Sequence, residues 1–123
     1  MPKTEVVIYQ EATGQSPLTD WLDSLSTKAR DKCIVRVELL AQMGRDLRRP
    51  HCDLLERGIF ELRARVGSVN YRILYAFVGR NVVLLSHGCT KERAVPKSEI
   101  DRAVRNLTEF NKNPKAHTFT KEL

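Results

Sequence analysis

The stretch Phe60-Glu61-Leu62-Arg63-Ala64-Arg65-Val66-Gly67-Ser68-Val69-Asn70-Tyr71-Arg72-Ile73-Leu74-Tyr75-Ala76-Phe77-Val78 decides the fold. Apolar and charged residues alternate from Phe60 to Val66. Phe60, Leu62, Ala64 and Val66 therefore share one face of a strand, and Glu61, Arg63 and Arg65 the other. Gly67-Ser68 predicts a tight hairpin. The returning strand, from about Val69 to Val78, sets Tyr71, Ile73, Tyr75 and Phe77 on one aromatic-rich core face and turns Arg72 outward. In that register Arg72 joins Arg63 and Arg65 on one charged face.

The same region holds the chain's surplus charge. Lys and Arg number 13 against 7 Asp and Glu over residues 45–105, but only 5 against 6 over residues 1–44. The excess of +6 is thus local, and 11 of the 13 arginines contribute to it. Guanidinium is a planar fork matched to phosphate, so arginines inside strands read as a polyanion-binding face. The competing account is a solvated face with ion pairs to Glu56, Glu61 and Glu92.

Working toward the N-terminus, Val6-Val7-Ile8-Tyr9 is a short β-branched run that predicts a first strand. Ser16-Pro17 supplies a cap followed by proline at the first helical position, with Leu18, Trp21, Leu22 and Leu25 on one face. A second helix starts near Ser26 or Thr27, carries Ala29, Cys33, Val37, Leu40 and Ala41 at helical spacing, and stops at Gly44. The short break between them predicts a helical hairpin. Arg45 to Cys52 is a basic connector, with Arg48 and Arg49 as further candidate polyanion contacts.

Toward the C-terminus, Gly79-Arg80-Asn81 turns the chain into Val82-Val83-Leu84-Leu85-Ser86, apolar on both faces and so a central strand. A loop is expected from His87 to Lys97. Ser98-Glu99-Ile100-Asp101 has the form of a capping box opening a last helix, with Ile100, Ala103, Val104, Leu107 and Phe110 on its buried face. Residues 111–123 read as a flexible tail. The predicted order is β-α-α-β-β-β-α: one α+β domain over residues 1–123, three helices against a small, mainly antiparallel sheet.

At 123 residues the chain can bury a core without staples. Three widely spaced cysteines, Cys33, Cys52 and Cys89, argue against a disulfide framework and for a reducing compartment. No run has the length of a membrane span and the first residues lack a signal-peptide core, so the expected location is the cytoplasm. His51-Cys52 and His87-Gly88-Cys89 lack the paired short spacings of a zinc site, and no metal or other cofactor is expected.

Three motifs, in sequence, carry a resemblance. Leu55-Glu56-Arg57-Gly58-Ile59-Phe60-Glu61-Leu62-Arg63, then Tyr71-Arg72-Ile73-Leu74-Tyr75, then Val83-Leu84-Leu85-Ser86-His87-Gly88 with Lys91, Pro96 and Glu99-Ile100 resemble the RelE/ParE superfamily of toxins, most nearly its HigB-like branch. The resemblance implies a RelE-like fold. It also implies the toxin of a type II toxin-antitoxin pair, a metal-independent endoribonuclease that enters the ribosomal A site and cuts mRNA there. The implied partner is a cognate helix-turn-helix, HigA-like antitoxin, through which alone the protein would reach operator DNA.

Carried over by position, the catalytic residues would be Arg63, Arg72 and Lys91; the surrounding Arg65, Arg93, Tyr71, His87, Arg48 and Arg49 are the candidate RNA contacts. Arg63 and Arg72 would stabilise charge developing on phosphorus. Lys91, its pKa lowered among arginines, would do acid-base work worth ~10²- to 10⁴-fold, with His87 as rival or as an ordinary packed residue. Tyr71 is either core or a stacking contact. Related sequences often read His-Gly-Phe-x-Lys-Lys where this chain has His87-Gly88-Cys89-Thr90-Lys91-Glu92-Arg93, replacing the aromatic and the second lysine. Two alternatives stay open: a ParE-like inhibitor that binds DNA gyrase without catalysis, and a degenerate member that only holds its antitoxin. The nuclease reading requires that the arginines converge without being locked to the protein's own carboxylates.

Overall fold

The computed structural model describes residues 4–90 and 94–120. Its elements are β1 (Glu5–Tyr9), α1 (Pro17–Asp23), α2 (Thr27–Met43), a 3-10 turn (Gly44–Asp46), β2 (Cys52–Leu54), β3 (Phe60–Val66), β4 (Val69–Val78), β5 (Val82–Thr90), α3 (Lys97–Lys112) and β6 (Thr118–Phe119). They form a six-stranded sheet in the order β2-β3-β4-β5-β1-β6. Every pairing is antiparallel except β1 with β5.

This is the expected mixed α+β class, with the order corrected by two short strands. Cys52–Leu54, which begins at the last residue of the expected basic connector and lies outside every expected strand, pairs with Phe60–Leu62. Thr118–Phe119 pairs with Ile8 and Tyr9, so this part of the segment read as a free tail is attached to the sheet. His117 is buried there, its ring stacked on Tyr9 at 5.3 Å. Strands of two or three residues show no alternation and so give no sequence signal.

The pleat divides the core as the alternation predicts. Leu62, Ala64, Ile73, Tyr75, Val83 and Leu85 pack with Leu18, Leu22, Cys33, Val37 and Leu40 of α1 and α2. Each fully buried leucine among them contributes roughly 1.5–3 kcal/mol. Leu74, Ala76 and Cys89 face the other way, toward Ile100 and Ala103 of α3. β5 thus lies between helical layers, as its two apolar faces require.

Local signals account for α1 and α2. The Ser16 hydroxyl accepts from the Thr19 amide at 3.3 Å, and the Ser26 hydroxyl from the Ala29 amide at 3.2 Å. Gly44 ends α2 at φ 52°, where a Cβ would strike Thr4. The start of α3 differs from expectation: the cap is Pro96, whose carbonyl accepts from the Glu99 and Ile100 amides, and no side chain caps. Glu99 reaches β5 instead.

That reach is possible because β5 continues to Thr90, past the expected loop start, with an irregularity near Ser86. Tyr75 pairs with Leu85, but Leu74 pairs with His87. The extra residue, Ser86, is a β-bulge. Downstream of it Gly88 lies beneath the Trp21 ring, where any Cβ would collide, and Cys89 faces Arg72.

Candidate functional site

Arg63 and Arg72 are direct cross-strand partners. Cys89 continues the row on β5, as the partner of Arg72. One position along, Glu61 lies between the two guanidinium groups and is 3% exposed. Its Oε1 accepts from Arg63 Nε at 2.6 Å, and its Oε2 lies 3.5 Å from Arg72 Nε. Arg63 Nη2 also donates to Asp53 Oδ2 at 3.2 Å. The arginines converge as expected, but the condition that they stay clear of the protein's own carboxylates is not met: Arg63 pairs with Glu61 and Asp53, and Arg72 lies against Glu61, so the competing ion-pair account holds here.

Asp53 joins this cluster to the connector. It accepts from Arg49 Nε at 3.1 Å and from Arg49 Nη2 at 3.0 Å. Desolvation would raise its pKa, but the Arg49 hydrogen bond and the charges of Arg49 and Arg63 outweigh it and hold the carboxyl below its usual value. Asp53 therefore stays ionised at neutral pH.

Arg65 follows Arg63 on the same strand face, and its Nε donates to the Gly67 carbonyl at 3.0 Å. Arg36 arrives from α2, with its Nε donating to the Arg63 carbonyl at 3.2 Å. Together with His51 and Asn70 these residues border a cavity of about 310 Å³ at the end of β3. None of its lining residues is acidic. Arg36, Arg49, Arg63, Arg65 and Arg72 stand against Asp53 and Glu61, which leaves a formal +3.

The other sequence-predicted residues lie elsewhere. Tyr71 is on the α1 side of the sheet, edge-on to Trp21 at 6.3 Å, and is not brought to Arg72; the stacking expectation gives way to the core one. Arg48 bonds the Arg45 and Leu47 carbonyls. With Arg49 it borders a separate cavity of about 460 Å³, floored by Phe60, Tyr75 and Phe77. Lys91 and Arg93, expected as acid-base group and RNA contact, lie outside the described residues.

His87 corrects a second expectation. It is 1% exposed, so it cannot present its ring to a substrate. Its Nε2 is 3.0 Å from Glu99 Oε2, and its Nδ1 is 2.8 Å from the Ser86 hydroxyl. Asn106 donates to that hydroxyl at 2.9 Å. Burial, then the charge of Arg102, lowers the His87 pKa against the opposing pull of Glu99. The neutral ring fits this chain of bonds: it accepts from Ser86 and donates to Glu99. His87 ties β5 to α3.

Sequence reading missed Arg36, His51 and Asn70. Arg36 sits at the border of the apolar stripe of α2, between Cys33 and Val37, which is the available signal. Its reach to β3 is tertiary. Cys33, Cys52 and Cys89 are free thiols, all buried, and burial pushes the Cys33 thiol up to about 11. Among the described residues no cluster of His, Cys, Asp and Glu suits a metal ion. No described helix is long and apolar enough to cross a membrane.

Fold and site together define a small α+β domain with an arginine-rich sheet face. The family model described as Phage derived protein Gp49-like (DUF891) matches residues 20–108, from α1 into α3. The chain belongs to this family, which is part of the RelE/ParE-like toxin superfamily and is associated with the toxins of toxin-antitoxin systems. No curated protein matches the chain.

Proposed function

We propose that this protein is the toxin of a type II toxin-antitoxin pair, with a RelE-like, HigB-like fold, and that it inhibits translation in the cytoplasm by cutting mRNA in the ribosomal A site. The observation that carries this reading is the direct opposition of Arg63 and Arg72 on one sheet face, within the family-matched segment. Cleavage requires removal of the 2′-hydroxyl proton, attack of that oxygen on phosphorus, and protonation of the departing 5′-oxygen. Arg72, with the remaining Nη1 edge of Arg63, stabilises the phosphorane charge through planar, multi-donor guanidinium groups. With His87 enclosed, proton transfer falls to Lys91 and to the ribosome, which also positions the RNA. Free protein therefore cuts naked RNA slowly or not at all.

A cognate helix-turn-helix, HigA-like antitoxin neutralises it by presenting acidic side chains or blocking the route to the ribosome. Such association is fast and salt-sensitive. It is also the link to operator DNA.

One observation favours a second reading. Arg63 commits Nε and Nη2 to Glu61 and Asp53, which suits a binding module, either a gyrase inhibitor or a domain that only holds its antitoxin. Inducing the gene and mapping mRNA 5′ ends separates these. Codon-linked cuts are expected, abolished by Arg72→Ala or Lys91→Ala with antitoxin binding retained. DNA damage with filamentation, normal growth, or undiminished toxicity of both variants would reject the nuclease.

A further inference from the structure

The cavity at the end of β3 differs in charge from the row beside it. Arg63 and Arg72 face a buried carboxylate, whereas the cavity lining contains Arg36, Arg63, Arg65, His51 and Asn70 and no acid. Among the described residues no carboxylate pairs with Arg36 or Arg65. Each instead anchors its Nε on a backbone carbonyl, Arg36 on Arg63 and Arg65 on Gly67. A guanidinium tethered through Nε is fixed in direction while its two Nη groups remain for a bidentate acceptor.

We propose that this cavity is a phosphodiester subsite for single-stranded nucleic acid, in which Arg36 and Arg65 grip the backbone phosphate next to the one at Arg63 and Arg72. The inference rests on the nuclease reading for the identity of the strand as mRNA. Arg63 borders both places, so a strand can pass from one to the other without leaving the protein surface. Arg65 lies two positions beyond Arg63 on β3, an advance of roughly 6.6 Å, comparable to the step between adjacent phosphates of an extended strand. His51 and Asn70 add polar groups beside the phosphate and no base-specific pair. The subsite therefore positions RNA and does not select sequence.

The test is binding of the full chain to a short oligoribonucleotide with 2′-fluoro sugars, which cannot be cleaved, over a range of salt. Arg36→Gln and Arg65→Gln are each expected to weaken binding about five- to tenfold, and to reduce the slope of log affinity against log salt by about 0.7. Arg80→Gln, in the exposed β4–β5 turn, controls for general loss of charge. Arg36→Lys keeps the charge without the fork; it should retain the salt slope while losing affinity, which separates recognition from misfolding. Unchanged affinity in both glutamine variants, or a loss no greater than for Arg80→Gln, overturns the subsite. So does loss of antitoxin binding with RNA binding intact, which would assign the cavity to a protein partner. Failure of the nuclease reading is seen separately, as absence of cut transcripts with these RNA affinities still reduced.

Discussion

Glu61 sets the character of the arginine row. A carboxylate that is 3% exposed and shared by two guanidinium groups holds both in place and offsets half their charge. Removing one member of a buried ionic cluster leaves the others uncompensated. Glu61→Gln is therefore expected to destabilise the fold by roughly 1–3 kcal/mol, reduced from the fully buried case because the Arg63 side chain is 38% exposed. The same change raises local charge and should strengthen RNA binding with a steeper salt dependence. Urea denaturation and salt-dependent RNA titration check the two halves, and a variant as stable as wild type would show that Glu61 does not organise the row. The shared face was legible because strand alternation fixes direction at every second residue. The division of Glu61 between Arg63 and Arg72 was not, since it depends on rotamers.

At the scale of elements, the junction of β5 and α3 rests on a neutral histidine. In the unfolded chain His87 titrates near 6.5, whereas in the folded protein burial, then Arg102, hold its pKa lower. Below about 6.5 the unfolded state binds a proton that the native state refuses, so stability falls as pH drops through that value and is recovered above it. Urea midpoints between about pH 5 and 7.5 should rise with pH, with a slope that flattens in His87→Gln. An unaltered slope in the variant would remove His87 from this role. Helices α1 and α2 were readable to within a residue or two, because Ser16-Pro17, Ser26 and Gly44 are local signals. The role of Glu99 was misread because the same residue pattern serves a capping box and a long-range bond. Arg36 was missed for the parallel reason: helical periodicity shows which face is apolar, but not which strand edge a border residue will reach.

Across the whole molecule, support is uneven. β5 has α1 on one face, α3 on the other, and strands on both sides. The edge strands β2 and β6 have only three and two residues. Amides of Val83 to Leu85 should therefore exchange slowest with solvent, and those of β2 and β6 fastest. Hydrogen exchange read by mass spectrometry would show this ranking, and early exchange of Val83–Leu85 would contradict it. The arginine row lies between these extremes, with Arg72 on the well-held β4 and Arg63 on β3, whose partner β2 ends beside it.

The extra residue at Ser86 acts on all that follows it as a half-period change of phase. In an unbulged strand Gly88 would stand beside Arg72 and His87 would take the place opposite Ile73, under the Trp21 ring, where a Cβ collides. A one-residue insertion thus lets a single strand serve one alternation where it faces the hydrophobic interior and the inverted one where it meets the guanidinium row. The two halves of β5 can consequently vary in composition under separate constraints, provided that the count of residues between them is kept.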